Sequence, residues 1–255
     1  MKLQDISDTE NQLVKDAPNE YGEYYAHAQF AIDLFHTAIK DSSYEAVFFS
    51  MFLATAEKHI VIAALSGIRH HHVQANLDLR YAVESGCWAA YALAHPDPAL
   101  YAEMKDDETM EPTKALKGKM YQWLEEKYPA GSESLKRFKE GTNKLSTHAN
   151  IVDAHRNFNE MKRDNISTSF FDTSEEHHIK TDLWAVANLS MGLLDIFYGV
   201  NKDFPRFAWR NDFLSHMRIL KNENARLKAE MMEHPRLKPH AERAKKDAED
   251  WKKRQ

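Results

Sequence analysis

Between Tyr44 and Ser66 the chain carries Val47, Phe48, Phe49, Met51, Phe52, Leu53, Ile60, Val61 and Ile62, which on a helix point in nearly every direction. A helix that is apolar almost all round has to be surrounded by others, so this segment is expected at the centre of a helical bundle. Only Glu57-Lys58-His59 interrupts the apolar run from Ala46 to Leu65, and those charges favour a buried core helix over a membrane span. Asp41-Ser42-Ser43 offers an N-cap before it and Gly67 a stop after it. With only 8 glycines and 8 prolines in 255 residues there are too few turn formers for a many-stranded sandwich or barrel. An all-α fold follows, a single bundle of seven to eight helices with a protruding C-terminal helix.

Apolar spacing of three and four residues predicts the other helices. They cover 19–40, 73–94, a short piece at 98–106, 112–128, 132–158, 174–199 and 207–233. The β-branched and aromatic stretch Asn165–Asp172 reads as irregular loop in preference to a hairpin arm. Residues 1–210 would then form the bundle, 211–233 the C-terminal helix and 234–255 a charged, frayed tail. The single Cys87 rules out an internal disulfide and a cysteine zinc site and fits a reducing compartment. The first 20 residues carry five acidic side chains and no apolar signal-peptide core, so a cytoplasmic location and no membrane partner are expected.

The last helix has the clearest spacing. Phe213, Met217, Leu220, Asn224, Leu227 and Met231 follow at steps of four and three, the average of a coiled-coil seam, with Asn224 as a polar core position. Two readings stand: a homodimer through this seam, or an amphipathic helix packed on its own bundle with Asn224 at an exposed edge.

Fourteen histidines make histidine chemistry worth testing. His70-His71-His72 cannot converge on one metal without unusual backbone, because consecutive side chains diverge, so a cap or surface cluster is expected. Glu175-Glu176-His177-His178 holds one Glu-x-x-His, but a di-iron bundle needs two, so neither a metal nor another cofactor is implied. Neither a glycine-framed serine nor a phosphate-binding glycine loop occurs. Arg80 and Glu84 form an i, i+4 pair on an apolar helix.

Arg210-Asn211-Asp212-Phe213-Leu214-Ser215-His216 places an arginine, a polar residue, four positions and a histidine at the start of the last helix. This resembles the R-x(4–6)-H motif of HEPN domains, all-helical bundles that are often metal-independent ribonucleases, in which a polar residue such as Asn commonly follows the arginine. The resemblance implies that His216 handles a proton of the ribose 2′-hydroxyl or of the leaving oxygen while Arg210 stabilises phosphate charge, with Asn211 beside them. It also implies RNA as a partner and a site built from two copies across a dimer. The alternative is a solvated polar pair on a non-catalytic helical dimer acting as a binding or scaffold module. A second resemblance, to an uncharacterised group of bacterial all-helical proteins, rests on Leu79-Arg80-Tyr81-Ala82-Val83-Glu84 and Leu145-Ser146-Thr147-His148. It implies a polar cluster of Arg80, Glu84 and His148 inside the bundle and carries no activity.

Overall fold

The computed structural model describes residues 2–104, 110–113, 116–146, 151–162, 165–173, 175–235, 237–239 and 242. Among them the chain forms eight helices and three small two-stranded ribbons. The helices are α1 (Leu3–Thr37), α2 (Val47–Ile68), α3 (His72–Ala94), α4 (Leu116–Lys127), α5 (Pro129–Ser146), α6 (Ile151–Arg156), α7 (Glu176–Asp203) and α8 (Phe213–Met232). The ribbons pair β1 (Ile39–Ser42) with β6 (Phe207–Trp209), β2 (Ala102–Met104) with β3 (Met110–Pro112), and β4 (Phe158–Lys162) with β5 (Asn165–Thr168), all antiparallel. The all-α class is therefore correct.

One apolar core runs from Ala17 to Met231. Helices α2 and α3 form a hairpin, and α3 packs on α7 so closely that a Cβ on Gly86 would sit 2.3 Å from Leu193 Cδ2. The small residue is what allows that approach. Phe197 of α7 meets both Phe35 of α1 and Phe49 of α2, and Phe49 stacks on Phe207 of β6. Helix α2 buries Phe49, Ala56, Ile60, Ala63, Ala64 and Ile68, but Val47 and Met51 on its other side remain exposed. Segments Tyr44–Ile68 and Glu176–Asp203 are long and apolar enough to cross a membrane, and the second is the more deeply packed inside the fold.

Several boundaries differ from the sequence reading. The first helix begins at Leu3, before residue 19, and is kinked at Gly22, whose φ of 48° falls in a region where glycine is favoured. The expected helix over 98–106 is a single 3-10 turn at Pro98–Leu100 followed by β2. Met110–Pro112 is strand, so the next helix starts later than residue 112. The helix expected over 132–158 begins earlier, at Pro129, and its far end divides into α5, α6 and the start of β4. Residues 165–168 are a hairpin strand, where irregular loop was expected, because β4 supplies a partner that satisfies their backbone. The last helix starts at Phe213, since Phe207–Trp209 pairs with β1.

The C-terminal helix does not stand apart from the bundle. Phe213, Met217, Leu220, Asn224, Leu227 and Met231 are all buried within this chain, packed against α1 and α7. The 4-3 spacing thus serves an intramolecular seam, and these six side chains are not a free dimer surface. Residue 210 marks no boundary in the core for the same reason. Asn224 lies inside, not at an exposed edge: its Oδ1 accepts from His27 Nε2 at 3.2 Å and its Nδ2 donates to Asn188 Oδ1 at 2.9 Å. The carbonyl of the same residue accepts from Trp184 Nε1 at 3.0 Å. The tail beyond 242 lies outside the described residues.

Candidate functional site

The β1–β6 ribbon fixes the start of α8, because the Arg210 backbone N–H donates to the Ala38 carbonyl at 2.9 Å directly after β6. Trp209 stacks on Phe213 with ring centroids 3.9 Å apart, which holds the turn into the helix. Asp212 then lies between the two residues of the motif. Its Oδ2 accepts from an Arg210 terminal nitrogen at 2.8 Å, and the other terminal nitrogen of Arg210 donates to Thr37 Oγ1 at 2.7 Å. His216 Nδ1 lies 3.0 Å from the Asp212 carbonyl and 3.3 Å from its Oδ2. Phe30 of α1 covers one side of the imidazole, 5.7 Å away between centroids.

Both atoms facing His216 Nδ1 are acceptors, so Nδ1 carries the proton and Nε2 is left as the basic nitrogen. This is the tautomer a histidine needs to accept a proton from a hydroxyl. The hydrogen bonds from Arg210 hold the Asp212 carboxyl below the usual range, and Asp212 in turn raises the Arg210 guanidinium. The pair is thus an ion pair with no net charge. A guanidinium has five N–H groups, and three are engaged here, leaving two for a phosphate. Asn211 is exposed beside it. Arg210 and His216 therefore converge, although on a carboxylate and not in a basic cleft. Asp212 was readable as two residues after the arginine and four before the histidine; Thr37 and Phe30 were not, since they come from α1.

Arg80 and Glu84 are neighbours on α3, with Arg80 Nε 3.8 Å from Glu84 Oε1, while His148 lies outside the described residues. The closer partners of Glu84 are cations that the sequence reading missed: Lys139 of α5 at 2.8 Å and Lys117 of α4 at 3.2 Å. Burial would raise the Glu84 carboxyl, but these two ammonium groups together outweigh it and the net direction is down. Cys87, one turn on, is a buried thiol pushed up to about 12 by desolvation, which makes it unreactive.

The three consecutive histidines diverge. His70 Nε2 meets Tyr21 Oη at 3.3 Å, His71 Nε2 meets Glu10 at 2.9 Å, and His72 Nδ1 meets the buried Asp182 at 2.8 Å. His70 adopts a φ of 61°, the one positive value among described non-glycine residues. Asp172 holds that turn: its N–H donates to the His70 carbonyl and its Oδ2 accepts the His72 N–H at 2.7 Å, satisfying the first donor of α3. No group of three His, Cys, Asp or Glu among the described residues is arranged to hold a metal ion. Both ring nitrogens of His72 are occupied, the second by Asn76, so the network is a clamp joining α3 to α7.

Comparison with protein-family models, curated proteins and solved structures gives no match to this chain.

Proposed function

We propose that the chain is a HEPN-like, metal-independent RNA-cleaving protein of the toxin or phage-defence type, acting in the cytoplasm. The observation that supports this reading is the bridge made by Asp212, which brings Arg210 and His216 together and leaves Nε2 of His216 basic. In the reaction His216 Nε2 takes the proton of a ribose 2′-hydroxyl. The 2′-oxygen bonds to the adjacent phosphorus, the bond from phosphorus to the 5′-oxygen breaks, and that oxygen takes a proton from water or from a second copy's histidine. The products carry a 2′,3′-cyclic phosphate and a 5′-hydroxyl. The free N–H groups of Arg210 meet the charge that builds on the phosphoryl oxygens. Asp212 is a positioning residue that sets the histidine tautomer and ring angle.

Purified protein incubated with labelled single-stranded RNA in EDTA tests this. Cleavage is expected, and His216→Ala should reduce it by about a hundredfold or more, the usual worth of a general base. Equal activity in the variant, or an inactive wild type, refutes the reading.

A helical binding or scaffold module is the second reading. It is favoured by apolar side chains left in solvent: Tyr44 is 91% exposed, Met51 59%, Leu214 59% and Ile219 56%. A dimer on this reading would use those surfaces and not the buried seam. Light scattering should then show a dimer that Met51→Glu or Ile219→Glu converts to monomer; dimers unaffected by both changes would count against it.

A further inference from the structure

Between α3, α4 and α5 lies a cavity of about 240 Å³, small beside the sites that take drug-sized ligands. Its inner wall is apolar and belongs to the core: Val83, Cys87 and Leu135 are 1%, 2% and 5% exposed. Against that wall stand Tyr121 and Lys139, with Lys136 and Glu125 also lining it. We infer that this cavity is a binding site for a small monocarboxylate with a compact apolar body, held by Lys139 and Tyr121.

The donor arrangement carries the inference. Lys139 Nζ has three protons; it stands in an ion pair 2.8 Å from Glu84 Oε1 and donates one proton to Tyr121 Oη at 2.9 Å, which leaves at least one. Tyr121 Oη accepts from that lysine, so its own proton is available, and burial raises the phenol and keeps it protonated. Two donors, one of them charged, stand beside an apolar chamber. Two donors match the two oxygens of a carboxylate, whereas a phosphate monoester would need more. Glu84 is already paired with Lys117 as well as Lys139, so it does not compete for the ligand's place. Lys136 adds positive charge that offsets Glu125, and the thiol of Cys87 is neutral. The site is independent of Arg210 and His216, and its failure would leave the ribonuclease reading untouched.

Calorimetric titration of the full chain with benzoate, benzyl alcohol and phenyl phosphate tests it without any variant. Saturable binding of one benzoate per chain is expected, with benzyl alcohol and phenyl phosphate at least about tenfold weaker, since each loses or crowds a charge-assisted hydrogen bond. Tyr121→Phe keeps the ring and removes the proton, and should weaken benzoate by about tenfold with an unchanged thermal transition. His216→Ala should bind benzoate as the wild type does. Absence of saturable benzoate binding, equal affinity for the alcohol, tighter binding of phenyl phosphate, or full affinity in a folded Tyr121→Phe protein would each overturn the assignment.

Discussion

His178 in the first turn of α7 accepts the Glu175 backbone N–H through Nδ1 at 3.2 Å, a bond that only the unprotonated nitrogen can make. Burial, followed by the positive fields of His177, Arg156 and His72, lowers its pKa from 6.5 to about 4. His27 and His70 are also lowered, again chiefly by burial. A histidine lowered in the folded state binds protons more readily when unfolded, so it favours unfolding as the solution becomes acid. Its contribution is fully present above the unfolded value near 6.5 and is lost as pH falls toward the folded value. Urea midpoints should accordingly be lower at pH 5 than at pH 7, a range that lies above the ordinary carboxylate values. His178→Gln should narrow the gap between the two midpoints; an unchanged gap would show that His178 is not the titrating group. The sequence showed His70 in a triplet and His178 in a Glu-x-x-His unit but not their burial, because desolvation is set by the elements that pack over them.

At the scale of elements, the helices were legible because their apolar faces recur at three and four residues, and the all-round apolar α2 was expected within the bundle. Its exposed flank at Val47 and Met51 was not legible, since periodicity says nothing about how many neighbours a helix will find. The short strands escaped for a related reason: three to five residues are too few to display a clear period of two, and β1 pairs with a segment far away in sequence. In α8 the spacing identified the buried residues correctly but not what covers them. A 4-3 stripe fits a second copy and a groove between α1 and α7 equally well. Asn224 decides between the two physically, because its side-chain groups are satisfied inside the chain by His27 and Asn188. Asn224→Ala should cost about 2–3 kcal/mol in chemical denaturation, as the buried His27 and the half-buried Asn188 lose their bonds. A cost below about 0.5 kcal/mol, the scale of surface changes, would mean that this network is solvated.

For the whole molecule, the net charge of −5 disfavours broad, non-specific contact with RNA. Any cleavage must rest on a local site, and the Arg210–Asp212 pair shows how restrained that site is, with its cation already balanced. The Arg210–His216 spacing was readable in the chain, as was its position at a helix start. That Asp212 would draw the two side chains together became apparent only once the β1–β6 ribbon had fixed Arg210. The ends of a cleaved RNA record which oxygen attacked the phosphate. Mass spectrometry of fragments produced in EDTA should find 2′,3′-cyclic phosphate and 5′-hydroxyl termini, formed by the wild type and absent with His216→Ala. Intact RNA, or fragments bearing 3′-hydroxyl and 5′-phosphate ends, would contradict attack by the 2′-oxygen.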